Sequence, residues 1–237
     1  MKKTLLIAAA ALAAGIISTE ASSVYSQNIV GYANVVTPTS GLNYLITVPF
    51  VIGVSNGANE VFGSNLPDFS QVLIWNGSDY NTVQSDSGSP TGWDDTGFNP
   101  VSAPVLPVGM GFFLIPNGNN VTNTFTGSIA VQTGTTNTVT LSTIGQNYLV
   151  GSAVPYAGSV TNGLGTNLGL NMNGFADFTQ LLIWNPSIGD YVTYQTDAGS
   201  PTGWDDTGFN PITPPSVSVG QGFFLVPNGV INWKQSL

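Results

Sequence analysis

The chain contains a long stretch of itself twice. Ser89-Pro90-Thr91-Gly92-Trp93-Asp94-Asp95-Thr96-Gly97-Phe98-Asn99-Pro100 recurs without a change as Ser200 to Pro211. Other blocks recur in the same order. Asn43-Tyr44-Leu45 matches Asn147-Tyr148-Leu149, and Leu73-Ile74-Trp75-Asn76 matches Leu182-Ile183-Trp184-Asn185. Asp68-Phe69 matches Asp177-Phe178, and Gly111-Phe112-Phe113-Leu114 matches Gly222-Phe223-Phe224-Leu225. A repeat of this length is a domain-sized module rather than a solenoid unit. The two copies span 24–131 and 132–237. The offset between them grows in the Gly/Asn-rich stretch after Pro155 and at Pro186–Gly189. Loops absorb insertions and regular elements do not, so both segments read as loops.

Each copy carries strand signals and almost no helix signal. Ile29–Thr37, Tyr44–Val51, Val72–Trp75, Tyr80–Gln84, Gly111–Ile115 and Val121–Val131 are short and rich in Val, Ile, Thr, Phe and Tyr. Turn residues bound them. Val72–Trp75 and Phe112–Ile115 are apolar throughout, as strands covered on both faces are. Asn76-Gly77 and Asn117-Gly118 are turn dipeptides. One helical turn is expected at 59–62. The fold class that follows is all-β: two tandem antiparallel β-sandwich or small barrel modules of about six short strands each. A membrane barrel would need longer, strictly alternating strands.

The N-terminus has a different character. Lys2 and Lys3 precede an apolar, Ala-rich run over 5–17, and Thr19-Glu20-Ala21 offers small residues for cleavage. Residues 1–21 therefore read as a secretory signal peptide, and the mature chain as secreted or held at the cell surface. The run is short for a membrane span, and none is expected after its removal.

Charge narrows the function. The 237 residues hold three basic residues and twelve acids, with no His and no Cys. Loss of Lys2, Lys3 and Glu20 with the signal leaves Lys234 against eleven acids. Nucleic acid as partner is excluded, because counterion displacement needs many cations. Without His or Cys there is no Ser-His or Cys-His pair, so the chain reads as non-enzymatic.

The duplicated Gly-Trp-Asp-Asp loop is the candidate site. Trp93 and Trp204 could stack on a sugar ring while Asp94, Asp95, Asp205 and Asp206 take hydroxyls, making an extracellular glycan a candidate ligand. Asp86, Asp94 and Asp95, mirrored by Asp197, Asp205 and Asp206, admit calcium without any regular ligand spacing; no other cofactor is expected. Paired carboxylates could also serve glycoside hydrolysis, although adjacent Asp residues on an extended segment point to opposite sides. The structural alternative is that Asp and Asn brace turns while Trp and Phe plug a module end. Trp75 and Trp184, inside apolar runs, read as core.

The leading functional reading is a structural or surface-interaction protein, a matrix, sheath or filament component. Edge strands are normally blunted by charges such as Lys, and this chain has almost none. Ile29, Val30 and Tyr32 are the candidate self-association residues, making a homo-oligomer or filament the expected partner.

Val24-Tyr25-Ser26-Gln27-Asn28-Ile29-Val30-Gly31-Tyr32, followed by the Asn-Tyr-Leu, Leu-Ile-Trp-Asn, Gly-Trp and Gly-Phe-Phe segments, resembles a large group of secreted β-rich proteins from Verrucomicrobia and related bacteria. That group carries no established activity and no assigned binding residues. The resemblance covers the mature chain and implies a bacterial exported protein; it implies no chemistry.

Overall fold

The computed structural model describes residues 30–131, 135–162 and 169–236. The expected signal peptide and Ile29 lie outside the described residues, and the expected junction at 131–132 falls at their edge.

The chain is all-β, with sixteen strands among the described residues and one helix of five residues, α1 (Ala58–Phe62). In the first copy, β2 (Tyr44–Thr47), β3 (Gln71–Trp75), β4 (Tyr80–Ser85), β5 (Trp93–Asp95) and β6 (Gly111–Ile115) form a five-stranded antiparallel sheet in the order β2-β6-β3-β4-β5. β1 (Val30–Thr37) and β7 (Val121–Ser128) form a separate two-stranded ribbon. The second copy repeats this plan. β9 (Tyr148–Gly151), β11 (Gln180–Asn185), β12 (Asp190–Thr196), β13 (Trp204–Asp205) and β15 (Gly222–Val226) form a sheet in the order β13-β12-β11-β15-β9. β8 (Thr136–Leu141) and β16 (Ile231–Ser236) form its ribbon, while β10 (Gly158–Ser159) and β14 (Ser216–Val217) add a short pair.

Each ribbon packs on one face of its own five-stranded sheet. The first core joins Ala33 and Phe125 from the ribbon to Ile46, Val72, Val83, Phe112 and Leu114 from the sheet, with Val61 and Phe62 of α1 closing one end. The second joins Leu141 and Trp233 to Leu181, Phe223 and Leu225.

A third core lies between the two five-stranded sheets. Leu45, Phe113, Leu149 and Phe224 are buried there, ringed by Leu73, Trp75, Tyr80, Leu182, Trp184 and Tyr191. This explains the continuous apolar runs. Val72 and Ile74 face the core of their own copy, whereas Leu73 and Trp75 face the other copy. The sandwich is thus built from layers on both sides of each sheet.

The contacts across this seam are reciprocal. Trp75 Nε1 donates to the Asn147 carbonyl (2.9 Å), and Trp184 Nε1 donates to the Asn43 carbonyl (2.7 Å). Trp75 meets Phe224 edge-on at 5.8 Å, and Trp184 meets Phe113 at 5.3 Å. Burial at this seam raises the phenols of Tyr80 and Tyr191 above their usual range. The repeated Gly-Phe-Phe start also has its reason here. A Cβ on Gly111 would stand 2.9 Å from the Val150 carbonyl oxygen, and one on Gly222 2.9 Å from that of Ile46. Each copy's glycine lets the other copy's edge strand come close.

Candidate functional site

The duplicated loop folds as a short strand followed by a braced turn. β5 pairs with β4 so that Trp93 opposes Ser85 and Asp94 opposes Gln84. Alternation along the strand then sends neighbours to opposite faces. Trp93 enters the first core, 2% exposed, its ring 6.4 Å from Phe62 and its Nε1 donating to Asn59 Oδ1 at 2.6 Å. Trp204 is likewise 3% exposed in the second core. Both indoles, which could have stacked on a sugar, are core residues with no ring face to offer.

Asp94 and Asp205 point to the opposite face and are also buried. Oδ1 of each lacks a hydrogen-bond partner, as does Nε2 of the residue opposite, Gln84 or Gln195. A donor and an acceptor thus stand in register in both copies, an arrangement that a direct bond or one shared water would complete. Asp95 and Asp206 brace the following turn instead. Asp95 Oδ1 accepts from Gly97 N (2.8 Å), Asn99 N (2.9 Å) and Asn99 Nδ2 (3.1 Å), and Asp206 repeats the set with Gly208 and Asn210. The amide N–H of Asn99 or Asn210, then its side chain, holds each carboxyl below the usual carboxylate range. Asp86 and Asp197 accept from Gly88 N and Gly199 N, each at 2.7 Å.

The six carboxylates therefore do three separate jobs and do not converge. Among the described residues, no group of three or more acids is placed to hold a metal ion, so the expected calcium set is not brought together. Asp94 and Asp95 cannot flank one glycosidic bond from opposite faces of a strand.

Three features escape a reading of the motif. One is the seam of Trp75 and Trp184. A second is an exposed aromatic pair, Phe69 with Phe98, 6.1 Å apart edge-on, and its counterpart Phe178 with Phe209 at 6.0 Å. All four hold φ near +60°, a conformation that is uncommon for bulky side chains. The third is a cleft between α1 with its following loop and the β4–β5 connection. It has a volume of about 390 Å³ and is lined by residues that include Asn59, Phe62, Ser64, Leu66, Asp68, Asp86 and Trp93. Its counterpart in the second copy, lined by Met172, Phe175, Asp177, Asp197 and Trp204, measures about 110 Å³. Asp86, Trp93, Asp197 and Trp204 are the candidate residues that line these clefts. Asp68 accepts from Ser87 N (2.8 Å) and Ser87 Oγ (2.7 Å), the hydroxyl first and the amide second holding its carboxyl below the usual range.

Of the candidate self-association residues, Val30 and Tyr32 lie on β1. Val30 is 64% exposed and Tyr32 75%. Val36 lies on the same solvent face of the ribbon, separated from them by the exposed Asn34, and the row stands opposite Ser128, Thr126, Thr124 and Thr122 of β7. Among the described residues β1 pairs with β7 alone. No helix among them is long and apolar enough to cross a membrane.

Compared with known proteins, the chain matches no family model, no curated protein and no solved structure.

Proposed function

We propose that this chain is an exported, non-enzymatic bacterial protein, a matrix, sheath or filament component at the cell surface or beyond it, that associates with copies of itself through β1. The observation that carries this reading is the β1–β7 ribbon. Its eight residues on β1 include no charge, its outer face presents Val30, Tyr32 and Val36 with Asn34 between them, and among the described residues no strand but β7 pairs with it. Such an edge is a template for another strand unless it is blunted. The signal-like start and the resemblance to secreted proteins of Verrucomicrobia support export. Edge pairing of β1 with another β1 closes a two-fold pair, whereas pairing with a different edge gives an open filament.

The test is negative-stain electron microscopy of residues 22–237 at high concentration. Regular oligomers or filaments are expected; uniform particles of monomer size would refute self-association. The glycan-binding reading is retained as a second one because of the first copy's cleft, with the indole rings replaced as its anchor.

A further inference from the structure

We infer that the duplicated segment ending at Pro100 and Pro211 is an autoinhibitory edge cap: it folds back along the outermost strand of each five-stranded sheet and keeps that edge from taking a strand of another chain. This role goes beyond association through β1, which it helps to confine to the ribbon.

An edge strand presents a row of backbone groups that templates another strand, and proteins usually blunt the row with charges, Lys above all. This sequence has no basic residue between Lys3 and Lys234. Its two five-stranded sheets end in β2 and β5, and in β9 and β13, and each of these edges meets a bonding partner instead. At the seam the partner is the other copy. Thr47 of β2 donates its N–H to the Gly220 carbonyl (2.9 Å), and Gly151 of β9 donates its N–H to the Gly109 carbonyl (2.8 Å). At β5 and β13 the partner is the motif itself.

β5 pairs with β4 on one side. On the other, the chain turns and runs back antiparallel, with Pro100 opposite Asp94. Val101 N–H donates to the Trp93 carbonyl and Asp95 N–H to the Asn99 carbonyl, both at 2.9 Å. The backbone groups that β5 would offer a neighbour are therefore taken. Hydroxyls of Ser89 (3.1 Å) and Thr91 (2.9 Å) also donate to the Trp93 carbonyl. Bonding groups alternate in direction along a strand, so the bonds of Asn99 and Val101 toward β5 leave those of residue 100 facing outward. That residue is Pro100, which has no N–H to donate. The cap thus covers one edge without creating another. β13 is closed in the same way: Ile212 N–H donates to the Trp204 carbonyl (2.9 Å), Asp206 N–H to the Asn210 carbonyl (3.0 Å), and Pro211 stands opposite Asp205.

Two further contacts hold the cap shut. Asp95 Oδ1 gathers the N–H groups of Gly97 and Asn99, and Asp206 those of Gly208 and Asn210. Phe98, at φ 60°, meets Phe69, at φ 63°, edge-on, and Phe209 meets Phe178 likewise. Bulky residues persist in that strained region where their surroundings over-determine it. Each exposed aromatic pair is then a clamp between the cap and the loop before β3 or β11.

The test is made in the Tyr32→Lys chain, so that association through β1 does not mask the result. Asp95→Ala with Asp206→Ala removes both braces. The amides of Val101 and Ile212 should then exchange at least about tenfold faster, and sedimentation velocity should show association beyond that of the Tyr32→Lys parent. Anything short of both overturns the cap. Val72→Ala cuts the first core and leaves both caps in place; it should stay at the parent's size, and association by it would assign the effect to lost stability and overturn the cap as well. Pro100→Val with Pro211→Val keeps the braces but gives each outer side a donor, and should also associate; a chain of the parent's size there would overturn the proline stop. Association of the Tyr32→Lys parent itself would count against β1 alone, since the cap is read from the increase over that parent.

Discussion

The two copies agree most closely where the sequence is identical and differ where the surface is free. Asp95 and Asp206 brace their turns with matching bonds, and Trp93 and Trp204 fill matching core positions. The cleft walls differ. The first copy has α1, latched by Glu60, whose carboxylate accepts from the N–H groups of Val54, Ser55 and Gly57. Among the described residues the second copy has no helix there, and its cleft is smaller. The ribbons differ as well. β1 shows Val30, Tyr32 and Val36 to solvent, while β8 shows Thr136, Thr138 and Thr140. Thr138 stands opposite Lys234, the only basic residue of the sequence after Lys3. Duplicated identity thus marks scaffold, and the proposed association falls on the first copy, where the two surfaces differ.

The largest expected effect tests the shared scaffold. Trp93→Ala and Trp204→Ala should each destabilise the chain by about 3–5 kcal/mol in denaturant unfolding. Trp93→Ala should be the costlier, because it leaves Asn59 Oδ1 without its donor. A loss under about 1 kcal/mol for either would mean that its indole is not core and would restore it as a ligand platform. The seam comes next. Trp75→Ala and Trp184→Ala each remove an edge-on aromatic contact and one hydrogen bond to the opposite copy, a loss of about 2–4 kcal/mol. The reciprocal geometry predicts near-equal values, and a wide disparity would break the symmetry.

The smallest effect concerns the α1 latch. The backbone N–H groups of Val54, Ser55 and Gly57, largest first, hold the Glu60 carboxyl at about 2. A depressed carboxyl favours the folded state above its unfolded value of about 4.5, and that contribution is lost as pH falls from there toward 2. Amide shifts at Val54, Ser55 and Gly57 should therefore stay constant down to about pH 3 and move together near pH 2. Movement centred near 4.5 would mean the latch is open.

Much of the fold could be read from the chain because strands announce themselves by period and turns by residue type. The limits of β6 match expectation at both ends, and those of β3 and β4 lie within one residue of it, whereas β2 ends at Thr47 rather than Val51 and β7 at Ser128 rather than Val131. The runs Val72–Trp75 and Phe112–Ile115 correctly implied two covered faces. What covers the second face was hidden, because the cover is the other copy and arises only in tertiary structure. The site was less legible. β5 is three residues long, too short for a periodic signal, so the motif alone leaves Trp93 open between a ligand platform and a plug of the module end. The cleft could not be seen at all, since α1 and the β4–β5 connection meet only after folding. The N–H groups that latch Glu60 carry no sequence signature beyond an acid one turn into a helix.

The account's central claim is that association belongs to the ribbon of the first copy. The most direct measurement is sedimentation velocity, over a range of concentrations, on the mature chain beside Tyr32→Lys and Thr138→Lys. These place the same charge on equivalent solvent faces of β1 and β8. The account predicts that the unaltered chain associates, that Tyr32→Lys is monomeric, and that Thr138→Lys associates as before. A monomeric unaltered chain, or equal behaviour of the two variants, would contradict it.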